Sequence, residues 1–147
     1  MYLLDTNHCS RIIFGEPTLI QQLQLHSEAD VATSVIVLGE LFYMVAKSER
    51  TAANMKQVRA FLNRIDIYPI TLPIAEIYGS IKGKLITAFG PKDKTKRRNF
   101  NPQTLGFGDN DLWIAATAIQ YNLTVVSADN DFQRIQQVEP FALESWV

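Results

Sequence analysis

Four carboxylates stand at positions where strands and helices can bring acids together: Asp5, Glu40, Asp111 and Asp129. Two unit charges about 4 Å apart repel by roughly 4 kcal/mol at an effective dielectric near 20, so clustered carboxylates need protons or cations. An all-oxygen ligand set selects hard ions, Mg²⁺ or Mn²⁺, over Zn²⁺, which prefers His and Cys. His8, His26 and Cys9 show no ligand spacing and read as packing or surface residues. Hard ions held on acids suit hydrolysis of a phosphodiester, because they acidify a water, orient the phosphate and stabilise the leaving oxygen.

Each acid also has a structural reading. Asp5 follows apolar Tyr2, Leu3 and Leu4, so it sits at a strand end and serves equally as the N-cap of a following helix. Glu40 lies in VIVLGELFYMVA, apolar on nearly every face, which predicts a central helix in which an unpaired carboxylate costs several kcal/mol. Its alternative is a side chain turned towards Lys47 or solvent. In GFGDNDLWIAATA, Asp109 or Asn110 is the better cap, leaving Asp111 in the first turn. In TVVSADNDF, Asp131 is assigned to capping and Asp129 to the site.

The elements that must position these acids follow from apolar spacing. Short apolar or β-branched runs predict strands at Tyr2–Leu4, Val31–Ser34, Ile67–Ile70, Thr124–Val126 and Val138–Leu143. Helical spacing predicts helices over Pro17–His26, Ile36–Lys47, Thr51–Arg64, Pro73–Phe89 and Asp111–Tyr121, with a short turn at Asp131–Gln136. Alternating strands and helices imply a three-layer α/β/α domain around a mostly parallel sheet, whose ligands gather beyond the carboxyl ends of the strands. Gly90 to Gly108 reads as a loop carrying Lys92, Lys94, Lys96, Arg97 and Arg98 against the single acid Asp93. Such a segment is either solvated or a contact for nucleic-acid phosphate.

The 147 residues fit one domain spanning 1–147, and 47% apolar with 20% charged residues is ordinary globular composition. A net charge of −1 gives no overall basic footprint, so polyanion contact falls to local patches. A single cysteine, no leader-like start and no apolar run of membrane length point to a cytoplasmic protein without membrane association. Trp113, Trp146 and Phe107 can stack bases, although apolar packing or dimer contact explains them as well.

The segments LLDTN, a Glu in an apolar helix, NDLWIAATA and VVSADNDF resemble the PIN-domain nucleases, and more narrowly the VapC-type toxins of toxin–antitoxin pairs. The resemblance spans almost the whole chain and puts Asp5, Glu40, Asp111 and Asp129 on the family's metal-binding positions, with Thr6 and Ser127 as the hydroxyls beside them. It implies a Mg²⁺- or Mn²⁺-dependent endoribonuclease acting on RNA, often a homodimer, restrained by a small cognate antitoxin protein. The 90–108 segment departs from the family in being longer and more basic. A non-catalytic RNA- or protein-binding module of the same fold and a phosphoacceptor signalling domain are the alternatives, and the latter leaves Glu40 without a purpose. A haloacid-dehalogenase-type enzyme wants a second Asp where Asn7 stands.

Overall fold

The computed structural model describes all of residues 1–147. Five strands, β1 (Tyr2–Leu4), β2 (Val31–Ser34), β3 (Asp66–Tyr68), β4 (Thr124–Val126) and β5 (Ala142–Glu144), form one sheet in the order β3-β2-β1-β4-β5. Every pairing is parallel. Leu3 pairs in register with Ala32 on one side and Val125 on the other, so β1 is the centre and its side chains are fully buried at Leu3 and Leu4. Near-continuous apolar strands of this kind are what a sheet covered on both faces requires.

Parallel neighbours need crossovers. α1 (Thr6–Ile13) and α2 (Pro17–Gln24) join β1 to β2, and α3 (Val35–Ala46) with α4 (Thr51–Leu62) joins β2 to β3. The chain then returns through α5 (Leu72–Phe89), α6 (Lys94–Arg98) and α7 (Asp109–Tyr121) to β4, and α8 (Asn130–Gln136) leads to β5. Right-handed crossovers running in opposite directions put α1–α4 on one face and α5–α8 on the other. The packing agrees: α1 touches α2, α3 and α4, while α7 packs on α5 and α8. The three-layer α/β/α expectation therefore holds. Because the strand order reverses between β1 and β4, a crevice opens beyond their carboxyl ends, the usual ligand position in open sheets.

Several local expectations change. Thr6–Ile13 forms a full helix where only a turn or a helix cap after Asp5 was expected, and the last strand lies at Ala142–Glu144, later than Val138–Leu143. The 90–108 segment is not all loop. Asp93 caps α6 by accepting from the Thr95 and Lys96 amides, and a 3₁₀ turn at Pro102–Leu105 ends at Gly106, whose φ of +90° suits glycine. Most consequentially, α3 is not central. It buries Val37, Leu41 and Val45 but leaves Val35 41% and Tyr43 66% exposed. No helix is long and apolar enough to cross a membrane.

Candidate active site

Asp5 leaves β1 at the crevice and does two things at once. Its Oδ1 accepts from the His8 amide at 2.8 Å, capping α1, and lies 3.0 Å from His8 Nδ1. Its Oδ2 accepts from Ser127 Oγ at 2.5 Å. Ser127 follows β4, and its Oγ also accepts from the Asp129 amide at 3.0 Å, so one buried hydroxyl ties the two strand ends together. The cap reading of Asp5 is thus realised, with the same carboxylate facing the crevice.

Opposite them, Ser34 caps α3 through the Ile36 and Val37 amides and starts the helix that carries Glu40. Glu40 is half-buried and its Oε1 accepts from Thr6 Oγ1 at 2.8 Å. It points neither to Lys47 nor freely to solvent. α7 delivers Asp111 from its first turn. Asp5, Glu40, Asp111 and Asp129 all line one open cavity of about 660 Å³, together with Thr6 and Asn7.

At the edge of that cavity, which Asp111 and Asp129 line, one carboxylate oxygen from each of Asp111, Asp129 and Asp131 lies within 4.8 Å of the others. Burial, then repulsion from Asp129, Asp131, Glu40 and Asp5, pushes the Asp111 carboxyl up to about 7. Burial and Asp129 raise Asp131 as well, against the opposing pull of Arg134. A half-buried acid forced to keep its proton by neighbouring acids is a place where a divalent cation is favourable, and three carboxylates supply the hard oxygen donors it needs. The donor set fits Mg²⁺ or Mn²⁺.

The PIN-domain family model matches residues 2–138. The chain belongs to the PIN-domain family. Ribonuclease VapC2 of Rickettsia felis is 30% identical over 99% of this chain and 98% of its own. The tRNA(fMet)-specific endonuclease VapC of Shigella flexneri is 24% identical over 99% and 97%. Among solved structures, VapBC2 from Rickettsia felis bound to a DNA fragment from its promoter superposes with a TM-score of 0.78 at 29% identity, covering 99% of this chain and 98% of that one. This PIN domain is of the VapC ribonuclease type, and its chemistry is the hydrolysis of phosphodiester bonds.

The two acids at the start of α8 divide their roles differently from the sequence reading. Asp129, assigned to the site, lines the cavity and is also the N-cap of α8, accepting from the Asp131 amide at 2.9 Å. Asp131, set aside as the cap, instead joins Asp111 and Asp129, with Arg134 Nη1 3.7 Å away. Its signal was ordinary, since an acid in a first helical turn is usually explained by the dipole alone. Neither Asp109 nor Asn110 caps α7, which begins at Gly108 without a side-chain cap. Asp109 accepts from Tyr78 Oη at 2.5 Å and Lys82 Nζ at 3.2 Å. Burial works against its charge, but these donors outweigh it and hold the carboxyl below its ordinary value, so Asp109 is neutralised outside the acidic group.

The basic segment contributes nothing to the cavity wall: none of Lys92, Lys94, Lys96, Arg97 and Arg98 lines it. Arg97 Nε is bound to the Pro91 carbonyl at 2.5 Å, while the other four are exposed and without carboxylate partners. Cys9 is buried, which pushes its thiol up to about 12, and His26 stacks on Trp146 as a packing residue, whereas fully buried His8 also holds Asp5 Oδ1 through its Nδ1. Trp146 and Phe107 are buried, and Trp113 is partly buried with one face stacked on Tyr78, so packing accounts for the three aromatics named from sequence.

Proposed function

We propose that this PIN domain is a Mg²⁺- or Mn²⁺-dependent endoribonuclease, the toxin of a toxin–antitoxin pair. The observation that carries the reading is the raised Asp111 carboxyl among Asp129 and Asp131, an arrangement that favours a divalent cation over three bare charges. Asp111, Asp129 and Asp131 would hold the ion, with Asp5 and Glu40 on the flanks of the cavity. When bound, the ion supplies Lewis-acid activation of water and positive charge beside the phosphate.

The chain's own groups do the rest. Ser127 and His8 fix both oxygens of Asp5, so its carboxylate cannot rotate away from the crevice. Thr6 occupies Glu40 Oε1, leaving Oε2 without a protein donor and free to accept a proton from the attacking water. The exposed cations Lys92, Lys94, Lys96 and Arg98 suit an outlying stretch of RNA phosphate, with Arg97 anchoring their segment. A small antitoxin protein covering the cavity and a homodimeric, cytoplasmic toxin complete the reading. Support comes from the relatives, a ribonuclease, a tRNA endonuclease and a VapBC complex.

Purified protein should cleave bulk tRNA or single-stranded RNA with Mg²⁺ or Mn²⁺ and stop with EDTA. Asp111→Asn should lower kcat by more than about a hundredfold, beyond the 10–100-fold loss typical of outer-shell partners, while leaving the circular-dichroism spectrum unchanged. Undiminished cleavage by that variant, or cleavage in EDTA, would overturn the assignment. RNA binding without cleavage would make the domain a non-catalytic binding module.

A further inference from the structure

The acidic cavity has one cationic lining residue, Lys47, and one strongly exposed aromatic, Tyr43. Tyr43 stands on α3 and Lys47 is its C-cap, in αR conformation, three and seven residues beyond Glu40, so the three side chains share one helical face. Lys47 has no carboxylate partner even though Asp5, Glu40, Asp109, Asp111 and Asp129 line the same cavity. Its Nζ lies instead over the Tyr43 ring, 4.9 Å from the centroid. The Tyr43 ring packs on no other aromatic and its hydroxyl makes no hydrogen bond, whereas Tyr78 is stacked and bonded.

A large aromatic left 66% exposed at the rim of a cavity has surplus apolar area. An ammonium without a carboxylate partner beside it adds positive charge where every other charged lining residue is an acid. A basic protein segment drawn to the acids would be repelled by Lys47. A polyanion drawn to the same site needs such a cation, and a nucleobase has the flat face that the phenol ring can take.

We propose that Tyr43 and Lys47 form a nucleotide platform on the rim of the acidic cavity, Tyr43 stacking a base and Lys47 contacting the adjoining phosphate. The choice of RNA as ligand rests on the nuclease reading above. Glu40 and Lys47 are about 10 Å apart along the helix axis, so the platform engages a nucleotide flanking the bond that is cut. It is a substrate-binding element rather than part of the chemical step.

The test uses the full chain carrying Asp111→Asn, which binds without turnover, and a fluorescent single-stranded oligoribonucleotide followed by anisotropy. Tyr43→Ala in that background should weaken binding about tenfold and Tyr43→Trp should restore it, since stacking needs a ring rather than a hydroxyl. Lys47→Gln should weaken binding at low salt and flatten the log–log salt dependence by about 0.7, the value for one phosphate contact on a single strand. With Asp111 intact, Tyr43→Ala should raise KM more than it lowers kcat.

Unchanged affinity and salt slope in both variants would overturn the platform, and a concurrent fall in oligomeric mass by light scattering would assign the face to a protein contact. The two readings fail separately. Wild type that binds RNA through Tyr43 but never cleaves it defeats the nuclease reading alone. Wild type that cleaves with Tyr43→Ala unaffected defeats the platform alone.

Discussion

Ser127 is the side chain on which the geometry of the acids turns. Its single hydroxyl donates to Asp5 Oδ2 and accepts from the Asp129 amide, joining a residue after β1 to residues after β4 across the point where the sheet reverses. Removing the hydroxyl leaves the buried Asp5 oxygen without its donor, which costs about 1–3 kcal/mol. Ser127→Ala should therefore lower the urea midpoint and, because outer partners hold ligands in place, weaken Mn²⁺ binding about 10–100-fold by calorimetry. Ser127→Thr keeps the hydroxyl and should recover most of both. A Ser127→Ala protein with wild-type Mn²⁺ affinity would show that Asp129 keeps its place without the Ser127 hydroxyl. Sequence alone named Asp5 and Ser127 as neighbours by resemblance but could not assign the bond, since 122 residues separate them. It put the α8 cap on Asp131 rather than Asp129 for a related reason: two acids two positions apart at a helix start carry the same capping signal, and only the folded backbone decides which accepts the amide.

The element that deserves to be probed at its root is α3. Fully buried Ser34 ends β2, accepts the amides of Ile36 and Val37, and so fixes where Glu40, Tyr43 and Lys47 emerge. Ser34→Ala should destabilise the fold by about 1–2 kcal/mol, the upper range for a lost N-cap, measurable in urea at constant m. Equal stability would mean that the amides find another acceptor. Strand and helix positions were largely readable, because near-continuous apolar runs mark the buried strands and 3.6-residue spacing marks α2, α4 and α5. The face of α3 was not. A run such as VIVLGELFYMVA gives no polar stripe to orient, so it reads as buried all round, and the exposure of Val35 and Tyr43 becomes visible only in the packed molecule. α1 was signalled only by its cap, and its extent was not read because its polar opening, Thr6 to Ser10, hides the buried positions His8, Cys9 and Ile12. The order β3-β2-β1-β4-β5 likewise needed the structure, since alternation fixes parallel pairing and not strand sequence.

At the scale of the whole molecule, 14 basic and 15 acidic residues nearly cancel, yet the acids gather at one end of the sheet. That imbalance links folding to pH and to cation. In the unfolded chain Asp111 titrates near 3.8, whereas in the folded protein burial and its acidic neighbours push it up to about 7. Between these values the native state binds the extra proton, so this contribution is fully present below about pH 3.8 and is lost as pH rises through 7. Asp131 is raised too and acts in the same direction. Metal-free protein in EDTA should thus melt at progressively lower temperature from pH 5 to pH 8, and Asp111→Asn, which cannot ionise, should flatten that trend. A divalent cation competes with the proton, so its benefit must grow where the proton has left. Mn²⁺ at a hundredfold excess over its pH 8 Kd should raise Tm by about 5–10 °C at pH 8, and the same concentration should give a markedly smaller rise at pH 5. Scanning fluorimetry over pH with and without Mn²⁺ reads all four conditions. A Tm gain that is the same at both pH values, or an EDTA trend identical in wild type and Asp111→Asn, would mean that proton and metal do not share Asp111.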